Sequence, residues 1–196
     1  MNEHFRKQVR ALKFSLLSPD KIKKLATAKI VTPELYDIDG FPVDGGLMDL
    51  RLGAIDPGVR CRTCGKRVKE CPGHPGCIEL ARPVFHIKYI PLVELSLRSF
   101  CPYCGKLTLR DENQKTYSIS ERAKKARDAK KCPHCNETIE RIKLEKPSTF
   151  MMGKKRVSAI EIRDSLVHIP DEELKKIGIN ALTCRPEWAV LALLLV

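Results

Sequence analysis

The chain has 196 residues, 43% of them hydrophobic and only 6% aromatic, enough for one domain or two small ones with a modest core. The formal net charge is +12, a balance common in proteins that work near nucleic acid. No apolar run reaches the ~18 residues of a membrane span, and the charged N-terminus lacks the apolar core of a signal peptide. A cytoplasmic protein is expected, in a compartment where its nine cysteines stay reduced.

The charge is uneven. Residues 1–30 carry eight Lys/Arg against two acids, and residues 101–146 carry twelve against seven. Residues 31–60 invert the balance, with six acids against two basic groups.

In chain order, residues 5–17 mix apolar and basic positions and read as a strand, with Val9, Leu12, Phe14 and Leu16 as core contacts. Ser18-Pro19-Asp20 is a helix start: an N-cap serine, proline at the first helical position and an acid in the first turn. That helix should run to Lys29 and bury Ile22 and Leu25. Residues 32–60, rich in Gly, Pro and Asp, have the composition of an ordered loop. Residues 89–100 read as a mostly apolar helix. The segment 120–131 is basic and built of good helix formers. Ser158-x-x-Glu161 is a capping box opening a helix through about Val167. Ile169-Pro170 breaks it, and a short helix from Asp171 to Ile177 stops at Gly178. The apolar end, Trp188 to Val196, is strand-like. Left unpaired, it would be an exposed edge.

The cysteines carry the chemistry. Cys61-x2-Cys64-x6-Cys71-x2-His74 is one set, and Cys101-x2-Cys104 with Cys132-x2-Cys135 is another. A CxxC pair sets two thiolates on one tight turn, each able to reach an ion at ~2.3 Å, and two pairs complete a tetrahedron. A redox CxxC would explain one pair poorly and two pairs worse. In the first set the fourth ligand is His74 or Cys77. Spacing favours His74, which repeats the interval of the pairs, and Cys77 would then be a small buried hydrophobe. Four protein ligands leave no position for water or substrate, which points to structural zinc and away from zinc catalysis. Two filled sites would lower the net charge to roughly +9. Cys184 has no partner, and His86 and His168 read as core or surface histidines. No paired-carboxylate, nucleophile–base or phosphate-loop motif rises above chance.

The run Gly45-Gly-Leu-Met-Asp-Leu-Arg-Leu-Gly-Ala-Ile-Asp-Pro-Gly, followed by Cys61-Arg-Thr-Cys64, Glu70-Cys-Pro-Gly-His74 and Ile78-Glu-Leu-Ala-Arg-Pro-Val, resembles the N-terminal part of the largest subunit of multisubunit DNA-directed RNA polymerase, most of all the archaeal A-prime type. Phe14-Ser-Leu-Leu-Ser-Pro, Cys101-Pro-Tyr-Cys-Gly-Lys-Leu, Lys131-Cys-Pro-His-Cys, Ile169-Pro-Asp-Glu-Glu-Leu and Arg185-Pro-Glu-Trp188 extend the likeness over nearly the whole chain.

The resemblance implies an irregular α+β fold, the zinc-stapled clamp of the polymerase, which closes over DNA in the main cleft. It implies two structural zinc ions, held by Cys61, Cys64, Cys71 and His74 and by Cys101, Cys104, Cys132 and Cys135. Residues 1–100 would form a clamp core segment with the first zinc site. Residues 101–146 would form a second zinc module with a basic helical insertion, and 147–196 a helical segment and the start of a strand. Implied partners are the other polymerase subunits, above all the second-largest, together with DNA and initiation and elongation factors. Arg122, Lys124, Lys125, Arg127, Lys130 and Lys131 are the candidate DNA contacts. Their alternative is a solvated helix closing the second zinc loop. The family's aspartate motif for catalytic magnesium is absent here and belongs downstream, so this chain is expected to be a fragment of a longer nucleotidyltransferase subunit. The competing expectation is a stand-alone zinc-ribbon regulator. The sequence departs from the family pattern at Leu50, Pro75 and Cys77, where proline, an aromatic and a non-ligating histidine are usual.

Overall fold

The computed structural model describes residues 9–12, 15–110, 116–127, 129–140, 142–181 and 184–196. Among the described residues, six strands form two small sheets, and five α-helices pack with them around two cores.

Helix α1, Pro19–Leu25, starts where Ser18 accepts a hydrogen bond from the N–H of Lys21. It ends four residues before the expected Lys29, because Ala28–Ile30 leaves it as strand β1. Strand β2, Gly76–Phe85, pairs parallel with β1 on one side. On the other it pairs antiparallel with β6, Val190–Leu195. The register of β2 against β6 shifts between Glu79 and Val84, and Pro83, which lacks an N–H to donate to a ladder, lies in that gap. The second sheet is the antiparallel meander β3 (Ile142–Glu145), β4 (Thr149–Met152) and β5 (Lys155–Val157).

The larger core collects Val93 from α2 (Ile90–Ser99), Ala123 from α3 (Ile119–Ala126), Phe150 from β4, Leu166 from α4 (Ala159–Val167), Leu174 from α5 (Asp171–Lys176) and Val190 from β6. The Phe85 and Phe150 rings, with centroids 5.1 Å apart, join the two sheets. The capping box at Ser158 and Glu161 forms as expected, and a second one, Ser118 with Glu121, opens α3. A smaller core of Ile22, Cys77 and Leu193 pins α1 to the first sheet.

Four expectations change. Residues 9–12 and 15–17 form no strand, and the rest of the expected strand lies outside the described residues. Val9 and Leu12 are exposed and Leu16 packs on the larger core, while Phe14 lies outside the described residues. Leu25 is half exposed, because the short α1 turns only its Ile22 side into the sheet. The apolar C-terminal segment is not left unpaired. It hydrogen-bonds along β2 and buries Val190 and Leu193.

Asp49 organises the long loop. It is 1% exposed and accepts hydrogen bonds from the N–H of Gly45 (2.6 Å) and of Arg51 (2.8 Å), and from the Arg51 guanidinium (2.6 Å). The Arg51 guanidinium is the main cause holding its carboxyl far below the usual carboxylate range, with burial opposing and the two N–H groups adding. Gly45 O in turn accepts from Val31 and Thr32. Gly46 is required by close approach, since a Cβ there would lie 2.2 Å from Glu34 O.

Phe150→Ala should cost about 3–5 kcal/mol in urea unfolding, since Phe150 is fully enclosed at the junction of the sheets. Asp49→Asn should cost about 1–3 kcal/mol at neutral pH by removing the anion its donors surround. A depressed folded pKa stabilises above the unfolded value near 3.9, and that stabilisation fades as pH falls toward the folded pKa. The gap between wild type and variant should therefore narrow below about pH 4.

Candidate metal centres

Three of the four ligand-bearing turns have one backbone design. In each, the first cysteine N–H donates to a carbonyl five residues on: Cys61 to Lys66, Cys101 to Lys106 and Cys132 to Glu137, at 2.9–3.0 Å. The residue after the second cysteine donates back to the first cysteine's carbonyl, from Gly65, Gly105 and Asn136. All three of those residues have positive φ, 71°, 68° and 60°, which is why two are glycine and one is asparagine. This left-handed residue is a sequence signal for the turn that spacing alone does not use. The fourth turn differs: Cys71 N–H donates to Arg67 O and His74 N–H to Leu52 O, with Gly73 at positive φ between them.

The turns bring eight donors into two groups. The ligand atoms of Cys61, Cys64, Cys71 and His74 lie within 4.8 Å of one another, and so do those of Cys101, Cys104, Cys132 and Cys135. The Sγ atoms of Cys64 and Cys71, of Cys101 and Cys135, and of Cys104 and Cys132 are each 3.6 Å apart. A disulfide needs about 2.05 Å, whereas sulfurs bound at ~2.3 Å around a tetrahedral ion sit about 3.8 Å apart. Nε2 of His74 is buried without a hydrogen-bond partner, the state of an imidazole nitrogen reserved for a metal. Cys77 is elsewhere, on β2, packed with Ile22 and Leu193. The geometry separates the two candidates for the fourth position.

The electrostatics within each cluster are divided. Burial pushes the Cys101 thiol up to about 12, and the thiols of Cys135 and Cys104 add to the rise. Burial also dominates the rise at Cys104. At Cys132 burial opposes ionisation, but the N–H groups of Cys135 and His134 outweigh it and the thiol's pKa falls. Cys61 behaves like Cys132, with the N–H groups of Cys64 and Thr63 prevailing over burial. In each cluster one thiol is pushed down and a neighbouring one up, a conflict that a divalent cation would remove.

The second cluster is tied to the larger core. The N–H of Leu107, which is fully buried, donates to Glu173 of α5 at 2.9 Å. Gly105 sits against the α4–α5 corner so closely that a Cβ would lie 2.5 Å from His168 O. Neither His86 nor His168 belongs to a metal-capable group among the described residues.

The basic segment divides by environment. Arg122 turns back, donating to Tyr117 O (2.8 Å) and Lys176 O (3.3 Å), and Arg127 is part-buried. Lys125 Nζ stands 3.7 Å from the centroid of the Tyr117 ring. Lys124, Lys125, Lys130 and Lys131 are exposed. A second basic surface, not singled out by the block counts, surrounds the first cluster, where Arg60, Arg62, Lys66, Arg67 and Lys69 are all exposed. No helix among the described residues is long and apolar enough to cross a membrane.

An α+β module with two four-donor, cysteine-rich clusters able to hold a metal ion, in a chain of net charge +12, is the class of protein these features define. The family model for RNA polymerase Rpb1, domain 1, matches residues 6–196, and the chain belongs to that family. It is 43% identical to the DNA-directed RNA polymerase subunit Rpo1N of Methanocaldococcus jannaschii, over 96% of this chain and 16% of the relative. It is 41% identical to the Rpo1N subunit of Thermococcus celer, over 98% of this chain and 24% of the relative. The corresponding figures for Methanothermobacter thermautotrophicus are 42%, 96% and 23%. The chain thus spans between a sixth and a quarter of the length of these curated relatives.

Gly105→Ala should destabilise the second centre far more than Gly65→Ala, because only the former drives a Cβ into a carbonyl. Both bear the cost of positive φ, about 1–2 kcal/mol. Thermal unfolding of the two variants checks the difference.

Proposed function

We propose that this chain is the N-terminal clamp segment of the largest subunit of a DNA-directed RNA polymerase, working in the cytoplasm and helping to hold template DNA in the main cleft. The observation that carries the reading is the family match along residues 6–196 together with two complete four-donor centres. The relatives are named as polymerase subunits, and nothing among them favours a stand-alone regulator.

Each centre holds one zinc ion, through Cys61, Cys64, Cys71 and His74 and through Cys101, Cys104, Cys132 and Cys135. Zinc supplies cross-linking here, since four protein donors leave no site for water or substrate. Apparent binding of ~10–16 kcal/mol per structural ion is ample to hold turns with so little buried surface of their own. Catalytic magnesium and the chemistry of RNA synthesis belong to the remainder of the subunit. Its partners are the other polymerase subunits, particularly the second-largest, and the factors that dock on the clamp.

DNA is met through its phosphates, so binding is salt-dependent and indifferent to sequence. Lys124, Lys125, Lys130 and Lys131 are the contacts the exposure pattern favours. Arg122 braces α3, which carries Lys124 and Lys125, through its bonds to the carbonyls of Tyr117 and Lys176.

Polymerase isolated by a tag on this chain should synthesise RNA from a DNA template. A tagged chain recovered free of polymerase subunits overturns the reading. Metal analysis should give two zinc ions per chain, one in Cys64→Ser or His74→Ala, and two in Cys77→Ser. Loss of an ion in Cys77→Ser but not in His74→Ala would reverse the ligand assignment. Charge reversal at Lys124, Lys125 and Lys130 should weaken DNA association and flatten its log–log salt slope by about 2–3. An unchanged slope would remove these lysines from the interface.

A further inference from the structure

Residues 32–44 contain four acids, Glu34, Asp37, Asp39 and Asp44, and no Lys or Arg, in a chain of net charge +12. The segment is a small, well-braced hairpin. Tyr36 bridges Pro42, the N–H of Asp37 donates to Phe41 O at 2.9 Å, and the N–H of Val43 donates to Leu35 O at 3.1 Å. The N–H of Gly40, at φ 80°, closes the turn on Asp37 O. This is a three-residue hairpin loop with glycine at its left-handed position. The carboxylate of Asp37 fastens it from inside, accepting from the N–H of Asp39 (3.0 Å) and of Phe41 (2.8 Å). At the base, Gly46 packs under Glu34 O and its N–H donates to Val43 O. The hairpin is thereby joined to the loop that Asp49 organises, and Asp44 at its base pairs with Arg62 of the first cysteine turn.

What this frame presents is apolar. Ile38 at the tip is fully exposed and Phe41, on the returning strand, is 62% exposed, with Leu35 and Tyr36 exposed on the strand that leads to the tip. Single exposed hydrophobes are ordinary, but a cluster of them on a rigid turn is the mark of an interface. The acids among them repel phosphate, so the surface is unsuited to nucleic acid.

We propose that the 35–42 hairpin is a docking prong. Ile38 and Phe41 insert into an apolar pocket rimmed by Lys or Arg on another protein subunit of the same assembly. The acidic rim of Glu34 and Asp39 selects that pocket by charge, and the Asp37 turn lowers the entropy cost by holding the prong in its bound shape. The inference rests on the polymerase reading above and names a contact within it.

The test uses this chain co-expressed with the other polymerase subunits and purified through its own tag, with subunit ratios measured by mass spectrometry. Ile38→Glu/Phe41→Ser should weaken incorporation about 30-fold or more, as loss of interface anchors does, while zinc content stays at the wild-type value. Glu34→Lys/Asp39→Lys, which leaves the turn's hydrogen bonds in place, should weaken it and remove part of its salt dependence. In the wild-type assembly the amides of residues 35–42 should exchange more slowly than in the free chain. Normal incorporation of both variants, or unchanged exchange of 35–42 on assembly, overturns the prong and leaves the polymerase reading intact. A wild-type chain that joins no polymerase subunit overturns both. A free chain that dimerises through Ile38, as judged by sedimentation of wild type against the double variant, also overturns the proposal, because the occupant is then a second copy.

Discussion

Two pairs of tight turns must bring four soft donors within a few ångströms of each other at each centre, and much of the architecture follows from that. Thiols this close cannot all ionise unaided, as the divided behaviour of Cys61, Cys101, Cys104 and Cys132 shows. A bound cation would turn that repulsion into a cross-link. It would join segments far apart in sequence, since Cys101 and Cys135 are 34 positions apart and their sulfurs 3.6 Å. Loop closure over such a span carries an entropy cost that a few buried side chains do not offset.

The two centres are held to the body in different ways. The second is built into the larger core: Leu107 is completely buried beside its turn, Glu173 reaches across from α5, and Gly105 touches the α4–α5 corner. The first rests on hydrogen bonds to an irregular loop, with Arg62 donating to Leu50 O and His74 to Leu52 O. Asp49 is the buried anion that keeps that loop in one conformation. Rigidity in the first half of the chain therefore comes from polar satisfaction, and in the second half from apolar packing. The acidic hairpin belongs to the first half, and its braced turn is the same device repeated at the surface.

Much of the local structure was legible. The Ser158/Glu161 capping box located α4, Gly178 marked the end of α5, and the Gly/Pro/Asp content of 32–60 identified a long ordered loop. The failures share a cause. β1 was hidden inside a helix-like run, β2 was broken by Pro83, and β3 to β5 are only three or four residues long. Strands of that length are defined by their neighbours, so no local pattern announces them. Val9 and Leu12 show the converse, apolar residues in a plausible pattern with no element to receive them.

The sequence by itself located eight candidate metal donors in two sets and the helix starts at Ser18 and Ser158, because the spacing of CxxC and helix capping act over three or four residues. It left His74 and Cys77 level in chemistry, separated only by spacing and resemblance. Tertiary structure sets the two apart in space, with Cys77 on β2 against Ile22 and Leu193 and His74 grouped with three thiols. It also divided the basic segment, folding Arg122 onto the carbonyls of Tyr117 and Lys176 while leaving Lys124 in water. And it gave the apolar C-terminal run a partner in β2. These outcomes depend on contacts between residues tens to more than a hundred positions apart, which composition and periodicity do not encode.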